Sequence, residues 1–442
     1  MLTDTTPALS SQQDALLRWT EAARRRGIGR RPFNAPAAYR IEGPLDVEAL
    51  RRALLQTVWH QPTLRTSYHP DGDGWRVRVA AHPPLGLRVV DLRGARDLDR
   101  RLHEALVADT ETVFPLDAPA RLRAVLYRVD DEAHVLSLAM DHLVADMDSL
   151  TVLVTEIGRR YGRAAEMAPP DDDPSADFFT FARRESAGLR GAALEAELGF
   201  WRSALGPAGP LVDVPLPFGN DRPAGPPRAA VCGGVLPADL LERLDRACRQ
   251  TRGTRFRLVL AAIAVVLHQL GAGEAIAVRS PDGNRDEFGT DAVIGWFSNL
   301  VVYRTDLSGD PTLDELLDRI RETAAGVQAH KRLTHYDLMR ELRPGEYGKP
   351  RTGTWVVLNH IRRAELDLPG LSCRHCGVRP ASVPPLMVEV ELEDHRDGSE
   401  LSVLYDANRY PAAAVEDLSN RIRRMLGQFA GDRGRRLSEL PA

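Results

Sequence analysis

The residues best suited to chemistry form one short run, Asp141-His142-Leu143-Val144-Ala145-Asp146. An imidazole has an ordinary pKa of about 6.5, so its neutral form is available near physiological pH to accept a proton, which suits a general base. His142 follows an apolar stretch, His134 to Met140, that reads as a strand, and Asp146 stands just before a helical pattern. The run therefore places an imidazole at a strand end. From spacing alone a plainer reading stays open, in which His142 is merely satisfied by a neighbouring carboxylate. Other catalytic signatures are absent from the sequence: a Gly-rich phosphate loop with a following lysine, a dinucleotide fingerprint, a Gly-x-Ser-x-Gly elbow and His-Glu-x-x-His. ATP use and serine hydrolysis lose ground accordingly. Cys373-Arg374-His375-Cys376 has metal-like spacing, but a structural zinc site takes about four ligands and no second pair lies nearby. It reads as a loop with incidental cysteines, and no metal site is expected.

Elements able to hold the run can be read on both sides of it. Ser10 to Gly27 has apolar residues at helical spacing and ends in Arg24-Arg25-Arg26-Gly27, a basic last turn with a capping glycine. Ala37 to Glu42 reads as a strand, and Asp46 as the N-cap of a helix whose apolar face is Val47, Leu50, Leu54 and Val58. Leu122 to Val129 and His134 to Met140 look like a hairpin turned by Asp130-Asp131-Glu132. A helix with Leu150, Leu153, Val154 and Ile157 on one face follows Asp146. Then Ala168-Pro169-Pro170-Asp171-Asp172-Asp173-Pro174 has the composition of a linker. The expected organisation is a first lobe over 1–168, a linker over 169–175 and a second lobe over 176–442. The second half repeats the mixture of helices and strands, so the class is α/β or α+β built twice.

Composition bounds the possibilities further. With 442 residues, 43% hydrophobic and 27% charged, the chain can bury two or three ordinary cores, and wholesale disorder is excluded. Its 58 basic against 62 acidic residues give a net charge of -4, without the basic face that tracks phosphates, so nucleic acid is not expected as a partner. Lys331 and Lys349 are the only lysines, which makes the abundance of arginine a matter of coding bias more than chemistry. Four cysteines and no secretory signal point to a reduced, cytoplasmic protein. The longest apolar run, Leu258 to Leu267, falls well short of the roughly 20 residues of a membrane span, and no membrane partner is expected.

Matches in order along nearly the whole chain resemble the condensation domains of nonribosomal peptide synthetases. Asp141-His142-Leu143-Val144-Ala145-Asp146-Met147 occupies the place of that family's His-His-x-x-x-Asp-Gly motif, and Ser149-Leu150 follows as its Ser-Leu does. Upstream, Ser10 to Leu16 resembles the opening Ser-x-x-Gln-x-x-Leu, and Leu64-Arg65-Thr66-Ser67-Tyr68 the Leu-Arg-Thr-x-Phe segment. Downstream, Phe200-Trp201-Arg202 resembles Tyr-Trp-Arg, Asn284-Arg285 the Gly-Arg position, and Ile294-Gly295-Trp296-Phe297-Ser298-Asn299 the Ile-Gly-x-Phe-x-Asn segment.

The resemblance implies an α/β protein of two chloramphenicol-acetyltransferase-like lobes forming a V, with the active histidine in the cleft. It implies a free-standing acyltransferase that takes an acyl or aminoacyl thioester from the phosphopantetheine arm of a carrier protein acting in trans, and joins it to a small-molecule or carrier-bound amine or alcohol. No cofactor is bound in such an enzyme. Two alternatives are a coenzyme A-dependent acyltransferase of the same fold and a catalytically silent module that recruits a partner protein. His142 would be catalytic. Asp146, paired with Arg285, and Asp141 would shape the site, and Met147, Ser149 and Asn299 would lie along the tunnel or cleft. Two positions depart from the motif. Asp141 replaces its first histidine, and a carboxylate beside an imidazole raises its pKa, making a poorer base at neutral pH. Met147 replaces its glycine, which implies either a backbone that avoids the left-handed region or a partly filled tunnel.

Overall fold

The computed structural model describes residues 7–441 apart from 28, 73, 83–85, 164–176, 208–212, 220–224, 286–289, 347–352, 380, 385 and 397. Two compact units share the chain. The first takes Met1–Gly188, Gly283–Ser298 and Ala364–Ala381; the second takes Leu189–Asp282, Asn299–Arg363 and Ser382–Ala442. The expected linker, 169–175, lies outside the described residues. A single cut there differs from this division, because a proline-rich acidic stretch marks where the chain is polar, whereas two later segments return to complete the first unit.

In the first unit a five-stranded sheet runs in the order Ser372–Cys376, Asn34–Glu42, Ala133–Asp141, Leu122–Arg128, Leu87–Asp91. The hairpin read from the sequence is present, with Leu122 opposite Met140 and Arg128 opposite His134. Its second strand, Ala133–Asp141, is buried along its whole length, as expected of a central strand covered on both faces. Alternation divides its side chains. Leu136, Leu138 and Met140 pack with Leu50, Leu54, Leu153 and Ile157 of the helices Val47–His60 and Met147–Gly162, while Val135 packs with Leu106 of the helix Leu98–Thr110.

Residues 373–376, expected to be loop, form an edge strand: Ile41 faces Cys373 and Ala38 faces Cys376 in antiparallel register. Residues three apart on a strand point to opposite faces. Cys373 accordingly packs on one core cluster and Cys376 on the other, so the two thiols cannot share an ion.

The second unit has a six-stranded mixed sheet, ordered Ala229–Val235, Gly398–Asp406, Met387–His395, Trp355–Arg362, Ala275–Asp282, Asn299–Asp306, with Trp355–Arg362 parallel to both of its neighbours. The apolar run Leu258–Leu267 is its buried central helix, with every residue inside the core. Helices over Phe178–Ala187, Gly191–Leu205 and His335–Leu342 and strands over Thr66–Asp71 and Ala229–Val235 carry patterns too short or too mixed to be read in advance.

Candidate active site

The site grows from the end of the central strand of the first unit. Asn34 faces Asp141 in the ladder, and one step further out the His142 N–H donates to the Phe33 carbonyl at 2.9 Å. Facing residues of an antiparallel pair present their side chains on one side. The Phe33 ring therefore stacks on the imidazole, with centroids 4.1 Å apart and planes within 2°. Trp296, from the returning segment Gly283–Ser298, meets the same imidazole edge-on at 4.8 Å. The His142 Nδ1 is buried without a hydrogen bond to another described residue, and the ring bonds its own backbone, which leaves Nε2 as the nitrogen that can meet a substrate.

Burial pushes the His142 imidazole below its ordinary value of 6.5, outweighing the upward pull of a hydrogen bond with its own backbone and of Asp146 and Asp141. A poorer base through Asp141 is thus corrected. The Asp141 carboxylate is spent on two guanidiniums: Arg30 donates to both of its oxygens at 2.8 and 3.0 Å, and the fully buried Arg121 donates at 3.0 Å. It also accepts the Leu143 N–H at 3.1 Å. A charge matched in this way exerts little field on the neighbouring ring. The pKa direction has a consequence for stability. Because the folded His142 resists protonation, the unfolded chain binds the proton first as pH falls through about 6.5, and folding is weakened on the acid side. Replacing His142 by Gln should flatten that part of the loss, measured as urea midpoints between pH 7 and pH 5.

Asp146 is the N-cap of the helix Met147–Gly162, in a capping box with Ser149. Its Oδ1 accepts from the Ser149 N–H at 2.9 Å, the Ser149 hydroxyl at 2.7 Å and Arg285 at 2.8 Å, and its Oδ2 from the Phe297 and Ser298 N–H groups at 3.1 and 3.2 Å. Arg285 also donates to the Thr290 and Val293 carbonyls at 2.9 and 2.7 Å, and it lies over the Phe297 ring. The aspartate therefore ties the segment that carries Trp296 to the helix that follows His142. Three residues separate His142 from Asp146 because that is the length of the turn between strand and helix.

Gly295 is required at the crossing, since a Cβ there would collide with the Phe178 ring. Gly295→Ala should cost about 1–3 kcal/mol, the usual range for overpacking, measurable by thermal melting.

Of the remaining expected site residues, Met147 opens the helix, is exposed, and is absent from the residues with positive φ. A glycine is not needed there. Ser149 and Asn299, expected along a tunnel or cleft, are instead buried. The Ser149 hydroxyl donates to Asp146 and accepts the Gly295 N–H at 3.2 Å. The Asn299 amide donates to the Lys331 and Leu333 carbonyls, both at 3.0 Å, and accepts the His335 N–H. Both are staples within their own units, because a short polar side chain beside unpaired backbone groups is drawn inward to satisfy them. Phe33, Trp296, Arg30 and Arg121 were not singled out from the sequence. Strand register brings Phe33 to His142, Trp296 arrives on the returning segment, and the two arginines close on Asp141, none of which the sequence states.

A two-sheet α/β chain with a neutral histidine at a strand end and a structural aspartate four residues on defines the class of chloramphenicol-acetyltransferase-like acyltransferases. Residues 27–441 match the family model for the condensation domain, and the chain belongs to that family. It is classed thereby with amide- or ester-bond-forming condensation enzymes. It is 33% identical over 316 residues to a linear gramicidin synthase of Brevibacillus parabrevis, a match covering 70% of this chain and spanning only 4% of that protein's length. Among solved structures it is similar to the X-domain from teicoplanin biosynthesis, with a TM-score of 0.83, 26% identity, and coverage of 100% of this chain and 99% of that one. It is also similar to the X-domain in its complex with OxyB, with a TM-score of 0.82, 27% identity, and coverage of 100% and 97%. No helix among the described residues is long and apolar enough to cross a membrane.

Proposed function

We propose that this chain transfers an acyl or aminoacyl group from the phosphopantetheine thioester of a carrier protein, acting in trans in the cytoplasm, to an amine or alcohol. The observation that supports this reading best is the desolvated His142 at the strand end, its imidazole held below its ordinary value by burial and its Nδ1 turned into the protein. Nε2 takes the proton of the attacking N–H or O–H as the nucleophile bonds to the thioester carbon. The carbon–sulfur bond then breaks, and the proton passes to the departing thiolate. Asp146 and Arg285 take no proton in this sequence; they hold the Trp296 segment in place.

Carrier-bound and coenzyme A-bound forms of one acyl group, offered with the same amine and followed by product mass, test the donor. Faster transfer from the carrier supports the reading, and a clear preference for coenzyme A supports the soluble-thioester alternative. The likeness to an X-domain solved in complex with OxyB favours a second reading, a silent module that recruits a partner. Transfer from neither donor, with stable binding of a partner enzyme, is its signature.

A further inference from the structure

We infer that Phe33 is a positioning residue for His142, and that the Asp141–Arg30 ion pair fixes the segment that brings it there. The inference rests on the proposed role of His142, which by itself says nothing of what holds the imidazole. A strand-end histidine on a four-residue turn has two side-chain torsions, and its Nδ1 has no hydrogen bond to another described residue that would lock them, only a hydrogen bond of the ring with its own backbone. An intra-residue contact moves with the side chain's own torsions, so packing must complete the orientation. Phe33 covers one face of the ring in parallel contact at 4.1 Å, and Trp296 closes the edge at 4.8 Å; together they leave one orientation.

Phe33 is itself partly exposed and precedes the strand Asn34–Glu42, so its own core packing does not place it. Two contacts do. Its carbonyl accepts the His142 N–H, and three residues before it Arg30 is fastened to both Asp141 oxygens and to the Phe114 carbonyl. This gives the departure of Asp141 from the family motif a function. The carboxylate is the anchor for Arg30, and with Arg121 on its other side it is buried between two guanidiniums. The charged groups nearest the ring are thus already matched, Asp141 by Arg30 and Arg121, and Asp146 by Arg285. Aromatic contact, and not a salt bridge, sets the direction of Nε2.

The test is made on the full chain, deuterated except at histidine and tryptophan rings, by nuclear Overhauser contacts between the His142 and Trp296 rings. Phe33→Ala should weaken them at least several-fold while the melting temperature stays near wild type, and Phe33→Tyr should keep them. Arg30→Gln should weaken them as Phe33→Ala does, although Phe33 is intact. In acyl transfer from a loaded carrier, Phe33→Ala should lower kcat about tenfold with KM within twofold, and Phe33→Tyr should restore it. Unchanged ring contacts or an unchanged kcat in Phe33→Ala overturn the positioning role, and ring contacts kept in Arg30→Gln overturn the Arg30 anchor. The ring contacts need no reaction. If they respond as expected but the wild-type chain transfers nothing, the proposed function fails while the clamp on His142 stands.

Discussion

His142→Ala should slow acyl transfer by about 10²–10⁴-fold, the range a positioned acid–base group supplies, while the protein stays folded. Removing the imidazole forfeits ring contacts with Phe33 and Trp296, worth about 0.5–1.5 kcal/mol for an aromatic pair, but it also removes a buried Nδ1 with no hydrogen bond to another described residue, an atom whose burial costs free energy. The two effects largely offset each other. Rate measurements alongside a circular-dichroism melt check the outcome, and activity within a few-fold of wild type in a folded variant would remove His142 from the mechanism.

Asp146→Ala should be the most destabilising single change at the site, by about 3–5 kcal/mol, because it leaves the Arg285 guanidinium buried without its counter-charge. It also frees the Phe297 and Ser298 N–H groups. Arg285→Met should cost less, since the thioether fills the space and strands a carboxylate that still has four neutral donors. The double variant should be more stable than the sum of the two losses predicts, with a coupling of about 0.5–3 kcal/mol read from urea denaturation. Strict additivity would mean that the two side chains do not act as a pair.

Much of the first unit could be read in the sequence because its signals are local. The Asp46 cap, the hairpin turned at Asp130-Asp131-Glu132 and the helix after Asp146 each announce themselves within a few residues, and all three are observed. The Asp146–Arg285 pair was legible only through the order of motifs, since 139 residues separate its partners. What could not be read was long-range. Arg30 and Arg121 are two arginines in a chain whose bases are nearly all arginine, and nothing in their neighbours marks them as partners of Asp141. Phe33 reaches His142 through strand register, and Trp296 through a segment that returns from far along the chain. Cys373 to Cys376 looked like loop because a five-residue edge strand alternates too briefly to be recognised. Ser149 and Asn299 drew attention as motif residues, yet a polar side chain in a motif can serve the backbone as readily as a substrate.

The proposed function stands on His142 driving transfer from a carrier-bound thioester. Intact-protein mass spectrometry of an aminoacylated carrier protein, incubated with a panel of amines and alcohols and either the wild-type chain or His142→Ala, tests it most directly. The wild type should return the carrier to its unloaded holo mass only when a productive nucleophile is present, with an equal amount of new amide or ester, and His142→Ala should leave the carrier loaded over the same time. Equal discharge by both proteins, or a carrier left loaded by the wild type across the whole panel, would contradict the account.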